Sequence, residues 1–91
     1  MPKYVVEREI LGAAELFAKQ GRELFEKSNR RAIREVGDVQ WLHSYVSGDK
    51  VYCVYIAPNE EKLREHAQKG GFPINRVSEV KMMIDPTTGG R

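Results

Sequence analysis

The strongest constraint on this chain is a pair of β-forming runs held two residues apart. Val39-Gln40-Trp41-Leu42-His43-Ser44-Tyr45-Val46 and Val51-Tyr52-Cys53-Val54-Tyr55-Ile56 are rich in β-branched and aromatic residues. Gly48-Asp49 between them suits a two-residue hairpin turn with positive φ at its first position. Such a turn sets the register: Ser47 faces Lys50, Tyr45 faces Tyr52, His43 faces Val54 and Trp41 faces Ile56. Opposed residues point to the same side of a sheet. One face is therefore expected to hold Trp41, His43, Tyr45, Tyr52, Val54 and Ile56, and the other Leu42, Ser44, Val46, Val51, Cys53 and Tyr55. Both faces are too apolar to be left in water, which predicts helices over one and a second subunit over the other.

The remaining elements fall on either side of this hairpin. Lys3 to Ile10 reads as a first strand, with Tyr4, Val6, Arg8 and Ile10 on one face and Val5, Glu7 and Glu9 on the other. From Ala13 to Val36 the composition favours helix. Phe17, Leu24, Phe25, Ser28, Ala32 and Val36 form a stripe at three- and four-residue steps that should lie on the sheet. Gly21 divides a short leading segment from the main helix, and Gly37 supplies a left-handed stop. Asn59 is placed to cap a second helix running to about Lys69, with Glu60 and Glu61 in its first turn. Val77 to Ile84 reads as a last strand, in which Met82-Met83 fill a core or an interface. The order strand, helix, strand, strand, helix, strand is the split pattern of an α+β, ferredoxin-like fold, β-α-β-β-α-β with an antiparallel sheet. An open apolar sheet face on such a fold predicts a dimeric α+β barrel.

With 91 residues the chain makes one domain, taken as 1–84, followed by a flexible C-terminal tail over 85–91. Apolar residues make up 41% and charged residues 31%, too hydrophobic for disorder. The net charge is +2 with basic and acidic residues interleaved, which argues against a nucleic-acid partner. The exception, Asn29-Arg30-Arg31-Ala32-Ile33-Arg34, reads as a solvated helix face. A lone Cys53 excludes an internal disulfide and a multi-cysteine metal site, and fits a cytoplasmic location. No apolar run approaches the roughly 20 residues that span a bilayer, so no membrane association is expected.

The chemistry-bearing residues are few. Histidine is the side chain whose ordinary pKa lies nearest neutrality, and on a strand among aromatics His43 could act as a ligand, a general base or a hydrogen-bonded structural residue. Glu7, mid-strand, would pair with His43 if both project to one barrel face, and otherwise with a surface cation. Cys53 points away from His43 in the expected register and reads as a buried structural residue. His66 stands beside a thin apolar stripe of Leu63 and Ala67, where a helix–sheet contact is the simpler role. Tyr45 and Tyr52 form a cross-strand pair that, with Trp41, could wall a pocket. Phosphate-binding glycine loops, nucleophile elbows and redox cysteine pairs are absent, which counts against most large enzyme classes.

Five blocks carry a resemblance: Tyr4-Val5-Val6-Glu7-Arg8, Trp41-Leu42-His43-Ser44-Tyr45-Val46-Ser47, Tyr52-Cys53-Val54-Tyr55-Ile56-Ala57-Pro58, Phe72-Pro73-Ile74-Asn75-Arg76-Val77-Ser78-Glu79-Val80 and Asp85-Pro86. Together they resemble a bacterial family classed as a domain of unknown function, one branch of which contains small nickel-binding proteins of ferredoxin-like fold. The resemblance implies a homodimer and the binding of nickel or another divalent transition metal. His43 matches a histidine of the nickel-binding branch, Cys53 sits in the matching Tyr-Cys pair, and His66 matches a histidine on the second helix. The chain departs where that branch has a histidine on the first strand, here Glu7, and one before the proline after the second helix, here Phe72. In keeping Glu7 and Arg8 it is closer to the branch without an assigned activity. The implied metal ligands are His43, Glu7 and His66.

Three readings follow for function. The first is a small dimeric protein binding a divalent transition metal such as nickel. The second is a barrel-lumen protein for a small-molecule ligand, or a cofactor-free oxygenase or isomerase, using His43 and Glu7 with Trp41, Tyr45 and Tyr52 as walls. The third is a dimer without a ligand. Metal binding stands ahead of the other two because it rests on matched positions.

Overall fold

The first strand, β1 (Lys3–Glu9), runs through the middle of the molecule, paired antiparallel on both sides. In this computed structural model, which describes residues 1–19, 21–71 and 73–87, it is followed by α1 (Ala13–Lys19), α2 (Gly21–Val36), β2 (Gln40–Val46), β3 (Lys50–Ile56), α3 (Glu60–Gly70) and β4 (Arg76–Glu79). The sheet order is β2-β3-β1-β4, antiparallel throughout. This is the α+β, ferredoxin-like arrangement expected from the element order.

Alternation along β1 sends Tyr4, Val6 and Arg8 under the helices, where all three are buried. Val51, Cys53 and Tyr55 of β3 are their cross-strand partners, and with Phe17, Val39 and Leu63 they form the core. On α2 the burial differs from the expected stripe. Asn29 and Ala32 are buried, Phe25, Ser28 and Val36 half-buried, and Leu24 is exposed. Stepping 25, 29, 32 and 36 describes the packed face better than a stripe through Leu24. The α2 stop at Gly37 (φ 74°) and the Asn59 cap, whose side chain accepts from the Lys62 amide at 3.0 Å, are as the sequence indicates.

Three expectations are corrected. The hairpin register holds from Val46–Val51 to His43–Val54, but a bulge between Trp41 and His43 then pairs Trp41 with Tyr55 instead of Ile56. Trp41 therefore lies on the helix-covered face, because one extra residue in a strand reverses the facing of everything beyond it. Gly48 does not take positive φ. The turn is drawn in by the chain after β1: the Ile10 amide donates to the Asp49 carbonyl at 2.9 Å, the Ala14 amide to the Gly48 carbonyl at 3.2 Å, and the Gly12 amide to Asp49 Oδ1 at 2.9 Å. Lastly, β4 stops at Glu79 instead of reaching Ile84. Among the described residues its only neighbour is β1, which begins at Lys3; once the Val80 amide has bonded the Lys3 carbonyl at 2.8 Å no further described strand remains to pair with.

Met82, Met83 and Ile84 consequently lie exposed beyond the sheet edge. Of the expected tail, Asp85 folds back on Thr87, accepting from its amide at 2.9 Å and its hydroxyl at 2.6 Å, whereas Thr88–Arg91 lie outside the described residues. Phe72 also lies outside them. No helix among the described residues is long and apolar enough to cross a membrane.

Candidate functional site

Two rows of side chains cross the open sheet face. Residue pairing sets His43, Val54, Val5 and Ser78 in one row and Tyr45, Tyr52, Glu7 and Arg76 in the next. His43 is exposed, and its ring meets Tyr45 edge-on at 5.0 Å between centroids. Tyr45 is 62% exposed, an unusual position for a large aromatic with no covering element. Glu7 is half-buried and paired with Lys50, Oε2 to Nζ at 3.5 Å. Both groups of that pair remain partly solvated, so it holds Glu7 only weakly.

The expected metal ligands divide between the two faces. His43 and Glu7 share the open face, but β3 lies between their strands, which sets their backbones about 10 Å apart across the sheet. His66 lies on the other side of the sheet, fully buried under α2. One ion cannot be reached by all three from a single chain, since ligand atoms must converge to about 2 Å from a transition metal. Among the described residues no group of three or more His, Cys, Asp or Glu side chains is placed to hold a metal. The residues of one chain therefore do not fit the ion by themselves. The expected pocket walls divide as well: Tyr45 and Tyr52 stay on the open face and the bulge carries Trp41 to the other. Cys53 is buried and faces away from His43, as the hairpin register requires.

His66 belongs to a buried polar group that the residue types alone did not reveal. The Tyr55 hydroxyl donates to Asn29 Oδ1 at 3.0 Å, and His66 Nε2 lies 3.3 Å from the Asn29 carbonyl. The His66 and Tyr55 rings meet edge-on at 5.1 Å, and the Arg8 guanidinium stands 5.8 Å from the Tyr55 centroid. Burial pushes the His66 pKa down to about 4; the Asn29 carbonyl opposes that shift and the Arg8 cation adds to it. Burial also raises the Tyr55 hydroxyl well above its usual range, with Arg8 pulling the other way. His66 is thus neutral at physiological pH, a packed and hydrogen-bonded residue. Period-two facing with Tyr4 and Val6 pointed to Arg8, and the 25, 29, 32, 36 spacing pointed to Asn29. Both signals were masked by the expectation that such polar types are solvated.

No curated protein matches the chain. Among solved structures, the fold is similar to the crystal structure of SCO4226 from Streptomyces coelicolor A3(2), with a TM-score of 0.76 at 10% sequence identity, over 90% of this chain and 99% of that one. Likeness at that identity bears on the fold alone. Residues 4–80, which take in all of the described strands and helices except Lys3 at the start of β1, match the family described as nickel responsive protein SCO4226-like, and the chain belongs to that family.

Proposed function

We propose that the chain is a small homodimeric binding protein whose two open sheet faces meet and hold a divalent transition metal such as nickel between them, using His43 and Glu7 from both copies. The observation that carries this reading is the placement of an exposed imidazole and a weakly held carboxylate on the one sheet face that no helix covers. Two further features support it. Tyr45, Tyr52, Val54 and Ile56 give that face the apolar character of an interface, and Met82, Met83 and Ile84 after β4 are exposed apolar side chains without cover. A two-fold axis doubles the donor set to two imidazoles and two carboxylates, a combination suited to nickel, copper or zinc. The family is described as nickel responsive, which agrees with this chemistry. A bacterial cytoplasmic setting is part of the same proposal, supported by the lone reduced and buried Cys53.

Equilibrium dialysis against nickel, copper and zinc, with sedimentation velocity on the same samples, tests the reading. The expected result is one ion per two chains, lost in His43→Ala and weakened in Glu7→Gln. Metal uptake equal in wild type and His43→Ala, or none in either, overturns it.

A further inference from the structure

The bulge in β2 has a consequence on the helix-covered side of the sheet. By turning Trp41 away from the open face, it completes an aromatic wall: Phe17 meets Phe25 edge-on at 5.2 Å and Phe25 meets Trp41 edge-on at 6.1 Å. These three rings border a hollow of about 200 Å³ between the helices and the sheet's edge strand, with Ser44, Val46, Arg22 and Glu26 completing its lining. Bulges that re-aim a side chain are common beside binding sites.

We propose that this hollow is a binding site for a small aromatic carboxylate. The walls supply edges and faces for a planar apolar ring, which gains from edge-to-face or offset contacts with its neighbours. The volume sets the size of the occupant. At about 30 Å³ per water, the hollow offers the space of six or seven water molecules, enough to seat one ring with a carboxylate. Polar groups set its orientation. Ser44 Oγ accepts from Trp41 Nε1 at 3.0 Å and keeps its own proton to donate.

The two charged residues at the hollow differ in their availability. Glu26 is engaged by Arg30 at 3.1 Å, whereas Arg22 is in no ion pair among the described residues. Arg22 thus offers a planar guanidinium at the rim of an apolar slot, the geometry that takes a carboxylate through two parallel hydrogen bonds. The site lies across the sheet from His43 and Glu7 and does not depend on the metal proposal.

Titration of the ¹⁵N-labelled full chain with benzoate, followed by NMR, tests the assignment. Trp41 is the single tryptophan, so one indole N–H peak reports on the wall directly. The expected result is a saturable shift of that peak, with benzyl alcohol binding about tenfold more weakly for want of the charged contact. Arg22→Gln, a change at an exposed position that leaves the core untouched, should reduce benzoate to the level of benzyl alcohol and leave benzyl alcohol unchanged. Shifts that do not saturate, that saturate only at residues remote from Phe17, Phe25 and Trp41, or that survive Arg22→Gln undiminished overturn the proposal.

Discussion

The Tyr55 hydroxyl on β3 donates a 3.0 Å hydrogen bond to Asn29 Oδ1 on α2, joining sheet to helix through two buried polar groups. Tyr55 is fully buried and Asn29 has no access to water, so neither group can replace the bond with solvent. Removing the hydroxyl in Tyr55→Phe leaves the amide oxygen buried without its donor. The expected cost is about 1–3 kcal/mol in urea denaturation, with little change in m because the surface exposed on unfolding is the same. An unchanged midpoint would show that the bond contributes nothing net.

Stability should fall on the acid side of neutrality through His66. Its folded pKa of about 4 lies below the unfolded value near 6.5, so between those values the unfolded chain binds more protons than the folded one. The contribution is fully present above pH 6.5 and is lost as the pH falls toward 4. At about 1.4 kcal/mol per pKa unit it amounts to roughly 3 kcal/mol across that window. A pH titration of the two histidines by NMR checks the cause, and urea midpoints at pH 7 and pH 4.5 check the effect. A His66 resonance titrating near 6.5 would refute it.

Two glycines that look alike in sequence should respond in opposite ways to alanine. Gly37 sits at φ 74° with open space around a built Cβ, so Gly37→Ala meets no clash but takes on left-handed strain, about 1 kcal/mol destabilising. Gly48 also has open space but does not require positive φ, so Gly48→Ala should be neutral or stabilising by up to about 1 kcal/mol through the unfolded chain. Thermal denaturation of the pair decides it. A large loss at Gly48 would mean that the hairpin turn needs a left-handed residue after all.

The proposed self-association through the open sheet face makes a separate prediction. Tyr45→Glu places a charge at an exposed position of that face, opposite Tyr52. A carboxylate introduced into an apolar contact between two copies is desolvated without a partner, which costs several kcal/mol. Sedimentation velocity should show the variant as monomer where the parent is dimer, with the far-ultraviolet circular dichroism unchanged. Identical sedimentation of the two would remove the open face as the contact.

Much of the fold was legible because its signals are local. Six helix- and strand-forming stretches, the stop at Gly37, the cap at Asn59 and the facing of β1 follow from propensity, period and capping chemistry within a few residues of each position. The candidate site was legible in part. Cys53 is turned from His43 because alternation holds from the hairpin turn as far as His43, whereas the face that Glu7 shares with His43 was left open until the pairing of β1 with β3 set it.

The sequence by itself determined the order of elements and the central pairing of the hairpin, and named His43 and Glu7 without deciding whether they share a face. Tertiary structure decided four further matters: the bulge that turns Trp41 toward Phe25, the tethering of the Gly48-Asp49 turn by Ile10, Gly12 and Ala14, the end of β4 at Glu79, and the burial of Arg8, Asn29 and His66. In each case the outcome depends on a partner distant along the chain. Which carbonyl, ring or strand edge stands opposite a residue exists as a physical fact only once the sheet and helices have packed.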